Sequence, residues 1–119
     1  MRGKKRILLA VAGLLLAGLR AGANDRPRSF TAIDYPGAVA TTAFGVNAQR
    51  DVVGSYTDSS NKTHGFVRIG ELFRSVDFPG AAFTQARGIS PAGEIVGSYR
   101  LPGEPSVNFH GYLLTRGGK

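Results

Sequence analysis

A 27-residue segment of this chain occurs twice, 43 residues apart and without a gap. It runs from Phe30 to Tyr56 and again from Phe73 to Tyr99, and twelve of the 27 aligned positions are identical. A period of this length indicates one supersecondary unit used twice. The duplication therefore constrains the architecture more than any local pattern does.

The N-terminal segment has the three parts of a secretory signal peptide. Basic residues 1–6 precede an apolar run over 7–19, and residues 21–23 have the A-x-A form of a cleavage site. The apolar run has 13 residues, whereas a membrane-spanning helix needs roughly 20. We expect a helical signal peptide over 1–23, cleaved after Ala23, and an exported protein, extracellular or periplasmic, with no stable membrane anchor. The alternative is an uncleaved interfacial anchor.

Cleavage changes the charge argument because five of the 15 basic residues lie before position 24. The whole chain carries +7, whereas residues 24–119 have ten basic and eight acidic residues, a net charge of +2. This balance argues against a nucleic-acid partner. The chain has no cysteine, so no disulfide stabilises it and burial must do so alone.

Each copy of the repeat is interpreted as about four short strands. In copy one these are residues 30–34, 38–46, 51–56 and 64–69. The Pro36-Gly37 pair and its counterpart Pro79-Gly80 predict type II turns. No segment after Ala23 has helical periodicity.

Four-residue hairpin loops are predicted over 47–50 in copy one and 90–93 in copy two. Gly93 supplies the left-handed residue that closes the second loop, and Arg50 stands at that position in the first. If the two loops share one backbone path, Arg50 must adopt a positive φ at a cost of about 1 kcal/mol.

Four antiparallel strands in about 43 residues is the size of one β-propeller blade. We therefore predict an all-β fold of two tandem four-stranded antiparallel blade-like repeats, a partial β-propeller, with a two-sheet β-sandwich as the alternative. The expected domains are the signal peptide, a short linker over 24–29, β-repeat 1 over 30–72 and β-repeat 2 over 73–119. Repeat arrays usually need three or more units, so the open blade faces would pair with each other or be closed by other copies in a homo-oligomeric ring.

Four motifs in fixed order, each present twice, resemble the HAF-family extracellular repeat of bacterial proteins. In copy one they cover residues 33–38, 45–47, 52–56 and 64–66. The chain departs from that pattern at Arg50, Ser90 and Tyr112, where the family favours Gly, Asn and Phe. The resemblance implies an exported bacterial β-repeat protein, and it brings no catalytic residue, cofactor or ligand.

The His and Asp residues that both copies share could have either a structural or a catalytic role. A catalytic site needs different residues that converge on one point, whereas equivalent His and Asp residues lie a whole repeat apart. We therefore expect each histidine to hydrogen-bond an aspartate and lock its sheet. The shared structural residues are Asp34, Asp77, Pro36, Pro79, Gly37, Gly80, Gly54, Gly97, His64 and His110.

The oxygen-rich loop over 58–61 lacks the spacing of a calcium loop and has no equivalent in copy two, so it is interpreted as a solvated turn. No metal site, cofactor or catalytic residue is predicted.

Residues that differ between the copies are better candidates for ligand contact, since scaffold demands would act on both. Phe83 and Arg87 replace Ala40 and Phe44 of copy one, and the loop over 100–109 is three residues longer than its counterpart over 57–63. Tyr56 and Tyr99 are identical, and they either face a ligand or pack within the sheet. The sequence thus favours a non-enzymatic exported module that binds a glycan or a protein. The alternatives are an extracellular hydrolase or lyase using the repeat Asp and His residues, and a shortened repeat protein with no independent function.

Overall fold

The computed structural model describes residues 26–116, which divide into two compact units with the boundary between Thr31 and Ala32. The predicted signal peptide lies outside the described residues. Residues 26–31, the described part of the first unit, contain no helix or strand. Within residues 26–116, no helix is long and apolar enough to cross a membrane.

The second unit is all-β, as the sequence predicts, and its strands form a curled half-barrel sheet. Its strands are β1 (Ala40–Val46), β2 (Val52–Thr57), β3 (Thr63–Ile69), β4 (Leu72–Val76), β5 (Phe83–Ile89), β6 (Ile95–Arg100) and β7 (His110–Leu114).

Two antiparallel groups of strands make up this sheet. The first blade is β1-β2-β3-β4, and the second blade is β5-β6-β7. A single parallel pairing, Thr63 with Phe83, joins β3 to β5. The strands therefore belong to one continuous curled sheet rather than to the two separate sheets of a sandwich.

Strand β4 crosses the boundary that the repeat suggests. By sequence it begins copy two, yet it pairs with β3 of copy one, from Ile69 opposite Leu72 to Gly65 opposite Val76. A two-residue turn at Gly70, which has a φ of 62°, closes this hairpin. The first strand of copy two thus completes the blade formed by copy one.

The strand predicted over 30–34 does not form, and this part of the prediction is wrong. In its counterpart, residues 73–76 belong to β4 and pair with β3, whereas residues 30–34 pair with no strand among the described residues. An extended segment needs a neighbour for its backbone N–H and C=O groups. The second blade correspondingly has three strands, and β7 is its outer edge among the described residues.

Both Pro-Gly turns have the geometry that the sequence predicts. Gly37 has a φ of 78° and Gly80 a φ of 77°. The N–H of Ala38 donates to the Tyr35 carbonyl at 3.1 Å, and the N–H of Ala81 donates to the Phe78 carbonyl at 3.0 Å. These turns direct the chain into β1 and β5.

The two hairpin loops also share one backbone path. Arg50 has a φ of 68° and Gly93 a φ of 88°, and each N–H donates at 2.9 Å to the carbonyl three residues earlier. Arg50 therefore occupies the left-handed region that favours glycine.

Replacing Arg50 by glycine is expected to raise the free energy of unfolding by about 1 kcal/mol, because the left-handed strain is removed. Chemical denaturation of the two proteins measures the difference. Gln49→Gly in the same loop is the control, since Gln49 has no positive φ and the change adds only backbone entropy to the unfolded chain. Equal effects of the two substitutions would contradict the strain argument.

The core lies between the blades. Val53, Val67 and Val76 of the first blade pack against Ala86 and Ile95 of the second. A Cβ atom on Gly65 would lie 3.1 Å from the Ala86 nitrogen, and one on Gly45 would lie 2.8 Å from the Arg87 carbonyl oxygen. Glycine at these two positions lets the backbones of the two blades approach closely.

Candidate functional site

His64 lies between two carboxylates in the first blade. Its Nδ1 is 2.8 Å from Asp77 Oδ1, and its Nε2 is 2.7 Å from Asp58 Oδ2. The side chain is only 15% exposed. Carboxylates accept hydrogen bonds, so the arrangement favours an imidazolium ring that donates from both nitrogens.

The electrostatics of this cluster follow from those bonds. Burial alone would lower the pKa of His64, but the hydrogen bonds to Asp58 and Asp77 outweigh it and the pKa is raised above its ordinary value. The bond from His64, with the backbone N–H of Lys62, lowers the pKa of Asp58. A general base needs an unprotonated nitrogen near its substrate, and both nitrogens of His64 are engaged.

The raised pKa predicts a pH-dependent stability. Because the folded state holds the proton more tightly, the stabilisation from His64 is complete below the unfolded pKa of about 6.5. It is lost as the pH rises through the higher folded pKa. Thermal melts across neutral to mildly alkaline pH should therefore show a falling Tm.

The variant His64→Gln is the matched test of this pH dependence. It keeps a polar side chain of similar size but cannot titrate, so its Tm should vary less over the same range. Parallel pH profiles for the two proteins would show that another group causes the effect.

Tyr56 is enclosed within an aromatic stack. Its ring lies parallel to that of Tyr35, with centroids 3.7 Å apart, and the His64 ring stacks at 4.8 Å. Its hydroxyl is 3.0 Å from Ser75 Oγ, which donates to Asp77 at 2.9 Å. Burial raises the pKa of Tyr56 to about 12. With its ring stacked in this way, Tyr56 would meet a ligand mainly through its edge.

The second blade contains a partial copy of this cluster. Tyr99 stacks on Phe78 at 3.6 Å and lies 5.0 Å from the His110 ring. His110 Nε2 is 2.9 Å from a carboxylate oxygen of Glu104. No carboxylate among the described residues contacts His110 Nδ1, the atom that corresponds to the Asp77-bound nitrogen of His64.

The partner of His110 is thus a glutamate and not the aspartate that the sequence predicts. The longer loop of copy two places Glu104 six residues before His110, which is the spacing of Asp58 before His64. The bond from His110, with the backbone N–H of Leu101, lowers the pKa of Glu104. Glu104 could have been identified from its spacing of six residues before His110, but not from its position in the repeat.

The loop that begins at Asp58 is held together by its own groups. Asp58 Oδ1 accepts from the N–H of Ser60 at 2.8 Å and from that of Lys62 at 3.0 Å, while Oδ2 is bound to His64. Asn61 has a φ of 71° and closes the turn. Over residues 26–116, no group of three or more His, Cys, Asp or Glu side chains is suited to hold a metal ion.

Arg87 contacts Phe44, its counterpart in copy one. Its guanidinium carbon lies 4.3 Å from the centroid of the Phe44 ring, and its Nε and Nη2 donate to Gln85 Oε1 at 3.2 and 3.0 Å. Both residues occupy β-bulges, where the register shifts in β1 and β5. The Arg87 guanidinium therefore packs against the first blade, while the residue remains exposed.

Phe83 belongs to a surface cluster that we call the aromatic patch, formed by Phe83, Arg100 and Phe109. The Arg100 guanidinium lies 5.0 Å from the Phe83 ring and 5.3 Å from the Phe109 ring. The two rings meet edge to face at 5.3 Å. The loop from Arg100 to Phe109 also exposes Leu101 and Val107.

This patch exists only in copy two; the sequence singles out Phe83 individually, and Arg100 and Phe109 only as the ends of the longer loop. The equivalent residues of copy one are Ala40, Thr57 and Thr63, all small or polar. The sequence carries a signal for the patch, because large or charged residues replace small or polar ones at three positions and the loop between the last two gains three residues. Of the other predicted binding residues, Tyr56 and Tyr99 stack on Tyr35 and Phe78, and Arg87 lies over Phe44.

A cleft of about 330 Å³ opens at the opposite ends of the strands. Its lining includes the apolar side chains of Ile69, Ile89 and Ile95 and the two arginines Arg74 and Arg116. Its volume is at the lower end of the range for small-molecule sites.

Comparison with family models, curated proteins and solved structures finds no match for the chain.

Proposed function

We propose that this chain is an exported, non-enzymatic binding module and that the aromatic patch contacts a protein ligand. The observation that carries the proposal is the patch itself, a cation in contact with two aromatic rings beside exposed apolar residues. Arginine and large aromatic side chains dominate the energetics of protein interfaces. Contiguous exposed apolar surface rimmed by polar groups is typical of interaction sites.

A protein ligand is better supported than a glycan. Sugar-binding sites present a free aromatic face beside hydrogen-bonding groups. The rings of Tyr56 and Tyr99 are stacked on Tyr35 and Phe78, and the patch rings carry no hydroxyl. The apolar surface at Leu101, Val107 and Phe109 instead suits the side chains of a peptide or protein.

The hydrolase alternative is less well supported. Both nitrogens of His64 are held by carboxylates, and His110 already engages Glu104. The two histidines occupy equivalent positions in different blades, so each has its own set of neighbours. Export is proposed from the composition of residues 1–23 and from the resemblance to extracellular repeats.

The experiment compares peptide and glycan ligands on the same protein. The full-length chain, expressed in a bacterium, is screened against a displayed peptide library and a glycan array. Selected ligands are then measured against Arg100→Ala, Phe109→Ala and the control Leu72→Ala, which removes an exposed apolar side chain from the first blade. We expect peptide binding that weakens about tenfold or more in the two patch variants, a loss typical of interface hot spots, and is unchanged in the control.

Other outcomes would overturn the proposal. Glycan binding that depends on the patch would replace the protein ligand with a sugar. Peptide binding that is insensitive to both patch variants would show that the contact surface lies elsewhere. Hydrolysis of a polysaccharide or ester that disappears in a His64→Ala, His110→Ala double variant would establish an enzyme.

A further inference from the structure

The outer edge of β7 offers a strand position that is filled in the first blade. There β4 pairs with β3 over five residue pairs. In the second blade β7 takes the place of β3, and within the described residues it pairs only with β6. A groove of about 150 Å³ lies beside β7, lined by Tyr112, Leu113 and Leu114 on one side and by Val76 to Pro79 on the other.

The segment with the matching sequence is residues 30–34. It is the repeat counterpart of residues 73–77, most of which form β4. It belongs to no strand, and its Phe30 side chain is fully exposed. Chain and groove are thus complementary by the internal symmetry of the repeat.

Side-chain contacts in the first blade show what this segment would meet. Phe73 of β4 packs 5.5 Å from Tyr35 and 5.8 Å from Phe66. The residues that would receive Phe30 are the equivalents Phe78 and Tyr112, which border the groove.

The charged contacts extend the match. Asp77, just after β4, binds His64 Nδ1 at 2.8 Å. Its equivalent Asp34 would face His110 Nδ1 if residues 30–34 paired with β7 in the same register. Addition of the segment would thereby complete the partial cluster of the second blade.

The exposed faces of the two blades fit the same arrangement. Val53 and Val67 of the first blade are buried against the second blade, whereas their equivalents Val96 and Leu113 are 49% and 61% exposed. On the opposite side, Ile89 packs against the core while its equivalent Val46 is 64% exposed. One blade interface is made, and both halves of a second one are open to solvent.

We propose that residues 30–34 of one copy of this chain add to β7 of a second copy as its fourth strand, with Val46 and Val96 in the new blade interface. The register follows β3 and β4, which places Thr31 opposite Leu113 and Ile33 opposite Gly111. A second copy is the donor because its Val46 face can then cover the Val96 face of the first copy, and both side chains are exposed in the single chain. The contact is head-to-tail, so it closes into a ring or extends as a filament.

Cysteine cross-linking tests this register directly because the native chain contains no cysteine. Residues directly opposite in an antiparallel pair have Cα atoms about 4.5 to 5.5 Å apart, within disulfide range. Full-length chain carrying Thr31→Cys and Leu113→Cys should, on mild oxidation, give a ladder of disulfide-linked multimers. The control Thr31→Cys with Leu72→Cys places the second thiol on β4 of the first blade and should remain unlinked.

Light scattering of the uncross-linked protein provides the second measurement. The full-length chain is expected to be multimeric, and the double variant Thr31→Pro, Ala32→Pro is expected to be monomeric with an unchanged circular dichroism spectrum. Two consecutive prolines are used because alternate residues of an antiparallel strand bond to the same neighbour. A monomeric parent chain, a cross-link formed within one chain, or multimers that persist in the proline variant would each overturn the proposal.

Discussion

Replacing Gly54 by alanine is expected to lower the free energy of unfolding by about 3 kcal/mol, at the upper end of typical overpacking effects. Gly54 in β2 lies opposite the bulge in β1 between Ala43 and Gly45. A Cβ atom there would collide with the Thr42 carbonyl oxygen and lie 2.8 Å from the Phe66 ring. Backbone blocks one side and a fully buried ring the other, so the strand pair itself must shift.

Thermal and urea denaturation measure this effect, and for a domain of this size it corresponds to a fall in Tm of roughly 12 °C or more. Gly111→Ala is the matched control, because a Cβ atom on Gly111 has only the Gly97 carbonyl oxygen nearby, at 3.8 Å. That variant should stay within about 0.5 kcal/mol of the parent. If the two substitutions cost the same, close approach at Gly54 is not what requires glycine.

Phe66→Ala is expected to lower the free energy of unfolding by about 3 to 5 kcal/mol, enough to unfold much of the protein at 37 °C. Phe66 is the largest fully buried side chain among the described residues, and it packs against Tyr35 and Phe73. Truncation would leave a cavity beneath β4 and the Tyr35 stack. Equilibrium denaturation monitored by tyrosine fluorescence gives the difference.

Phe66→Tyr is the informative companion to this variant. Copy two already has tyrosine at the equivalent position, and the Tyr112 hydroxyl donates to the Gln85 carbonyl at 2.8 Å. The equivalent acceptor in the first blade is the Thr42 carbonyl, beside which Phe66 lies. We expect a cost below about 1.5 kcal/mol, as for a swap of similar volume. A loss as large as that of alanine would mean that the two blades differ at this position.

Local features of the chain could be predicted because their physical cause is local. The Pro-Gly turns and the hairpin loops follow from residues that restrict or require particular φ values within four positions. Arg50 is the clearest case, since alignment with Gly93 predicts a left-handed residue and the structure has one. The all-β class follows equally from alternation and from the spacing of turns.

Pairing could not be predicted in the same way. Residues 30–34 and 73–77 have nearly the same pattern, and only one segment has a partner strand beside it. The aromatic patch has the same origin, because Phe83, Arg100 and Phe109 come together through the register of β5, β6 and β7. His110 binds Glu104 because of a loop insertion that the alignment of the two copies leaves out. These outcomes depend on which strands are neighbours in the sheet, and the local conformational preferences of the residues do not determine this.

The crossing of β4 from copy two into the first blade bears on how a chain of this kind can change its length. A copy appended after the second blade would supply, as its first five residues, the strand that β7 accepts, and would present a new edge of the same design. Gain or loss of whole copies by genetic recombination would therefore need no compensating substitutions at the junction. In such a gene, the backbone pairing at each junction would be kept whatever the number of copies.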